Sequence, residues 1–267
     1  RALSPEVRRR LYIHLAQCPG NTDQDNAFRI RASRFEHWFG TLELPSRAKD
    51  LLGKLVYHNG EFDFFADLPL VTPLLESEEQ RVHLLKALSQ RTTYLVKLKL
   101  TSDSDLNAIA EYWGRGGRAK DILPLLESLV STPGEKKIDI VHLLPGFARR
   151  RIYTYPRVVL DSQMRNRDCH WTSLNFFSEQ PDDKYADSEV AVRTIQSDYY
   201  AIYSEPRLGD LVLYLKSETE ILHSAVYIAG NILFTKNGAR ESAPWIFMDM
   251  DDMKDYYPCE TALKVIY

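Results

Sequence analysis

Between residues 210 and 250 four short apolar runs, "DLVLYL", "ILHSAVYIAG", "NILFTKNG" and "WIFMDM", follow one another with turn-forming residues between them. Few folds accept such a pattern. Alternation with a period of two makes half-buried strands, and short connections make successive strands antiparallel. Within the second run Ile221, His223, Ala225 and Tyr227 share one face, so an imidazole sits in an otherwise apolar strand and needs a hydrogen-bond partner.

The chain upstream reads differently. "SPEVRRRLYIHLAQC" opens with Ser4 as N-cap and Pro5 at the first helical position, and Cys18-Pro19-Gly20 stops it. Helical spacing continues in "DNAFRIRASRFEHWFG", "SRAKDLLGKLVYH" and "SEEQRVHLLKALSQ". At "TTYLVKLKL" the period shortens towards two. "SDLNAIAEYW" and "RAKDILPLLESLV" then read as helices separated by Gly116-Gly117, and "KKIDIVHLL" as another strand. Pro145-Gly146 and the polar "YTYPRVVLDSQMRNRD" mark a change of character, which predicts a boundary near residue 148. The "ARRR" run at 148–151 reads as a solvated helix face. The expected class is therefore α+β: a mainly helical region with a small α/β element over 1–148, and an antiparallel sheet packed on a helix over 149–267.

Composition excludes some functions. Lys+Arg 34 against Asp+Glu 37 gives a formal charge of −3, so no global basic field draws the chain to nucleic acid or an anionic membrane. No apolar run approaches the roughly 18 residues of a membrane span. The chain opens "RALSPEVRRR", with neither an initiator Met nor a signal segment, so processing before Arg1 is expected and a periplasmic or secreted location is open. The three cysteines lack C-x-x-C spacing and the seven histidines lack H-x-x-x-H, so no metal or other cofactor is expected. Cys18 and Cys259 could form a disulfide that leaves Cys169 free, or all three could be free thiols.

The stretch "DCHWTSLNFF" places Cys169 at a predicted helix start, with Asp168 as N-cap and Trp171, Leu174 and Phe177 spaced to bury one helix face. Unpaired N–H groups and the helix dipole lower a thiol pKa there, which makes Cys169 a candidate nucleophile. The bland alternative is a packed thiol on a core helix. His170 points about 100° away from its neighbour and is expected at the rim. The acidic cluster Asp249, Asp251, Asp252 and Asp255 lacks the glycine and terminal glutamate of a calcium loop, so it reads as helix capping.

Asp168-Cys169, then Gly209-Asp210-Leu211-Val212, then His223 with Tyr227 and Gly230 form an ordered set. Over residues 160–240 it resembles the NlpC-type branch of the papain-like cysteine peptidases. The resemblance implies a papain-like domain in which Cys169 attacks a carbonyl carbon, His223 shuttles the proton, and a third polar residue orients the imidazole. It also implies a peptide or peptidoglycan-like substrate. The family usually carries a second histidine on the next strand, where this chain reads "ILFTKNG". A two-residue Gly230-Asn231 turn would put Lys236 on the face of His223, whereas a three-residue loop would put Thr235 and Asn237 there. An acceptor is required, so Asn237 is the expected third residue and Thr235 the alternative. Gln163, six residues before Cys169, stands at the spacing of the papain-like oxyanion glutamine. Trp245 could shield the histidine from water. The expected function is thiol-dependent hydrolysis of an amide bond. Acyl transfer to an amine, a catalytically inactive binding module, and a structural protein with Cys169 and His223 far apart stand as alternatives.

Overall fold

The computed structural model describes residues 3–18, 20–25, 27–134, 136–156, 167–201, 203–215, 217, 220–240, 242–257 and 264–265. Its elements are α-helices and antiparallel sheets, in two compact units, Arg1–Arg91 and Thr92–Tyr267. No described helix is long and apolar enough to cross a membrane.

In the first unit, α1 (Pro5–Ala16) is capped by Ser4, whose Oγ accepts the Val7 N–H. The short α2 (Thr22–Asp25) leads into β1 (Phe28–Arg31), followed by α3 (Phe35–Gly40) and α4 (Ser46–Leu55). A hairpin of β2 (Tyr57–Asn59) and β3 (Phe62–Phe65) then completes a sheet of order β1-β3-β2, before α5 (Leu68–Val71) and α6 (Glu78–Leu88). "DNAFRIRASRFEHWFG" is thus not one helix. Phe28 and Ile30 are buried while Arg29 and Arg31 are less so, a period of two that pairs with β3 and overrides the helical spacing of the wider window. Trp38, Leu52, Phe65, Leu84 and Leu88 close the core.

The second unit begins well before the expected boundary at 148. β4 (Lys97–Lys99) pairs antiparallel with β5 (Lys137–Asp139), and between them run α7 (Leu106–Trp113) and α8 (Ala119–Ser131), with α9 (Gly146–Arg151) after β5. Leu100, Trp113, Leu126 and Phe147 from this region share one core with Trp171, Val226 and Phe247 from the C-terminal third. Shared burial, not the polar stretch near 148, therefore sets the division at 91/92.

The candidate site lies in this unit. α10 (Cys169–Leu174) and α11 (Ser188–Asp198) precede β6 (Leu211–Leu215), β7 (Ile221–Ala229), β8 (Ile232–Lys236) and β9 (Trp245–Asp249), followed by α12 (Met250–Tyr256) and β10 (Lys264–Val265). The sheet order is β10-β6-β7-β8-β9, antiparallel throughout. Alternation gives it two covered faces. Leu211, Leu213, Val226, Phe234 and Phe247 pack with Trp171 of α10 and Ile195 of α11; Val212, Tyr214, Ala225, Leu233 and Met248 pack with Met253 of α12. Asp249 caps α12, accepting the Asp251 N–H at 2.8 Å.

The "GDLV" stretch is the entry to β6. Gly209 has φ +93°, and a Cβ there would lie 2.2 Å from Phe177 Cε2. Asp210 holds the turn: one carboxylate oxygen accepts the Arg207 N–H at 2.6 Å and the other meets Arg115 Nη1 at 2.8 Å. Gly209→Ala should cost about 1–2 kcal/mol from the left-handed backbone alone, read as a lower urea midpoint with an unchanged slope. An unaltered midpoint would show that the turn relaxes without strain.

Candidate active site

Asp168 starts α10 by accepting the His170 and Trp171 N–H groups at 2.9 and 3.0 Å. The helix is short, 6 residues, and Phe176 rather than Phe177 continues its buried face: Phe176 is 1% exposed and Phe177 39%. Cys169 at the first position is buried. A lowered thiol pKa was the expectation; instead burial pushes it up to about 12, and the Asp168 carboxylate acts in the same sense. The N–H groups of Ser224 and His170 and the Lys236 amine favour the thiolate, without offsetting desolvation. So short a helix carries little dipole to set against the loss of water.

His223 lies on the opposite face of β7 from Ser224, and it is wholly buried. Its Nε2 is 2.9 Å from Thr235 Oγ1, and its Nδ1 has no hydrogen-bond partner among the described residues. Tyr257 stacks on the ring at 4.2 Å between centroids and 12° between planes, with Tyr214 at 5.9 Å. Burial holds this imidazole well below its ordinary value of 6.5, helped by the nearby His170. It is a neutral base at physiological pH.

Hairpin geometry explains the partner. Gly230-Asn231 makes a two-residue turn, but the register shifts at Ile228, where Tyr227 pairs with Leu233 and Ala229 with Ile232. The extra residue has the effect of a longer loop, so Thr235 and Asn237 share the face of His223 and Lys236 takes the other. Of the two, Thr235 reaches the imidazole. The expected third residue, Asn237, instead turns its Nδ2 to Met248 Sδ at 3.4 Å, and its Oδ1 is buried with no partner among the described residues.

Other expectations shift as well. His170 is not at the rim: it is 6% exposed, with Nδ1 2.8 Å from Ser224 Oγ, which is in turn 2.7 Å from Ser173 Oγ. This chain of polar groups pins α10 to β7. Its signal was the three-residue spacing of His170 and Ser173 together with Ser224 alternating against His223. Trp245 does not shield His223. It lies on the α10 face, donating Nε1–H to Thr172 Oγ1 at 3.0 Å, with Arg151 over its ring. The "ARRR" run is accordingly not all solvated, since the Arg151 guanidinium stands 4.0 Å from the Phe147 centroid and 5.1 Å from that of Trp171. Gln163 and Cys259, with the disulfide that Cys259 might make, lie outside the described residues; Cys18 is a free, exposed thiol.

A buried thiol at the start of α10 and a buried imidazole on β7 thus stand on opposite faces of the sheet. A bulge at Leu222 immediately precedes His223, where Tyr214 pairs with His223 and Leu215 with Ile221. No hydrogen bond joins the thiol to the imidazole, since Nδ1 is unbonded and Nε2 faces Thr235. Both groups are neutral in this arrangement. No protein-family model matches the chain, and no curated protein is significantly similar to it.

Two buried histidines make stability pH-dependent. Each has a folded-state pKa below its unfolded value of 6.5, so its contribution is present above that pH and lost as the pH falls, because the unfolded chain takes up the proton first. Between pH 6 and pH 5 the unfolding free energy should drop by up to about 1.4 kcal/mol per pH unit for each such histidine. Urea titrations should show a shallower decline in His223→Gln; an unchanged slope would mean that His223 is protonated in the folded chain.

Proposed function

We propose that the second unit is a papain-like, NlpC-type thiol hydrolase that cleaves amide bonds, with Cys169 as nucleophile, His223 as general base and Thr235 as the residue that orients it. The observation that carries this reading is the state of His223. A buried imidazole nitrogen without a partner costs about 1–3 kcal/mol, and here the other nitrogen is tied to a hydroxyl while Nδ1 is left bare. With Nε2–H donated to Thr235, Nδ1 presents a lone pair, the form a general base requires.

The thiol and the imidazole being neutral, the chemistry is general-base catalysis rather than a standing ion pair. As Cys169 Sγ attacks the carbonyl carbon, its proton passes to His223 Nδ1. The tetrahedral intermediate collapses, the C–N bond breaks, and the imidazolium returns the proton to the leaving amine. Water, deprotonated by His223, then hydrolyses the thioester and regenerates the thiol. The ring must reach the sulfur for this, around the bulged end of β7, and Tyr257 must leave its face. Peptidoglycan stem peptide is the substrate suggested by the resemblance alone.

A second reading, a binding module without catalysis, is favoured by the missing thiol–imidazole bond and by the thiol held up to about 12. Iodoacetamide alkylation separates the two. The hydrolase predicts that Cys169 reacts at least about tenfold faster in wild type than in His223→Ala, with Thr235→Val between them and Cys18 unchanged throughout. It also predicts release of stem-peptide fragments from isolated sacculi, abolished in Cys169→Ser. Equal Cys169 rates in wild type and His223→Ala would remove the base and leave the binding module.

A further inference from the structure

Lysine is almost never fully buried, because its ammonium loses water that few protein groups replace. Lys236, the last residue of β8, is 0% exposed. Its Nζ donates to the carbonyl oxygens of Gly238 at 2.7 Å and Arg240 at 2.9 Å, so the chain after β8 curls back over the amine. Alternation settles its direction. Thr235 faces His223, hence Lys236 faces the other way, with Phe234 and Ser224, on the side that α10 covers. That is the side on which Cys169 opens α10.

We propose that Lys236 is a positioning residue of the Cys169 site: a buried ammonium, anchored by two backbone carbonyls on the α10 face of the sheet, that stabilises negative charge on the sulfur. The proposal rests on the reading of Cys169 as nucleophile. It supplies what that site otherwise lacks. The short α10 contributes little dipole and Asp168 sets a like charge beside the thiolate. His170, next in sequence and buried, is kept in its neutral form by loss of water. Sulfur carries negative charge at two moments, when the thiol gives up its proton and when the thioester is hydrolysed. A cation fixed on the same face favours both without rearranging. The shared face has an electrostatic counterpart, since the Lys236 charge favours the ionised form of Cys169. A purely structural clasp on residues 238–240 would account for the two hydrogen bonds and for nothing at the sulfur.

The test is the pH dependence of Cys169 alkylation by iodoacetamide, followed by mass spectrometry in the intact chain, in wild type and in Lys236→Met. Methionine preserves the buried stem and removes the charge. At a given pH the Cys169 rate should fall at least about tenfold, the lower end of what loss of a close opposite charge does to an acid, while Cys18 reacts as before. A Cys169 rate that is unchanged in folded Lys236→Met overturns the proposal and leaves the nucleophile reading intact. A Cys169 that is not alkylated at all in wild type overturns the nucleophile reading and the proposal with it. Should Lys236→Met fail to fold, two polar replacements are compared in the same alkylation assay. Lys236→Arg keeps the charge and Lys236→Gln removes it; Cys169 rates at least about tenfold lower in the second than in the first are expected, and equal rates would refute the coupling.

Discussion

The register between β7 and β8 is the constraint on which the rest of the site depends. One extra residue at Ile228 converts a two-residue turn into the pairing that lays Thr235 beside His223 and sends Lys236 to the opposite face. A one-residue slip would exchange them, placing an ammonium against the imidazole and a hydroxyl against α10. Every chemical role assigned to this hairpin follows from that single bulge. Ser224 and His223, adjacent in sequence, are split by the same alternation: one binds α10 through His170 and Ser173, the other meets the aromatic side chains of Tyr214 and Tyr257.

Burial governs the electrostatics. The thiol is driven up and the imidazole down by loss of water, and the nearby charges and amides only trim those effects. A thiolate–imidazolium pair would need both shifts reversed, through stronger charge partners than this interior supplies. A neutral pair is the form that so dry an environment favours, and it still permits proton transfer during attack.

Much of this was legible in the sequence, and the failures have physical causes. The strands over 211–249, the Asp168 cap and the face shared by His223 and Tyr227 follow from periodicity and capping, which are local properties. Helix α10 was legible, but its six-residue length was not, and with the length went the expected depression of the Cys169 pKa. The partner of His223 turned on a bulge that no residue type announces, so Asn237 and Thr235 could be named together and not ranked. β1 was hidden inside a helical window because its alternation lasts only 4 residues. The division at 91/92 was missed because it depends on which apolar residues share a core, a property of the folded chain.

The account stands on the protonation state of His223. Long-range 15N NMR of the imidazole, recorded between pH 5 and 8 in protein with labelled histidine, reads both nitrogens directly. The predicted result is a neutral ring with the proton on Nε2, donated to Thr235, and a bare Nδ1 across the physiological range. A proton on Nδ1, or an imidazolium at neutral pH, would contradict it, because no lone pair would then be available to receive the proton of Cys169.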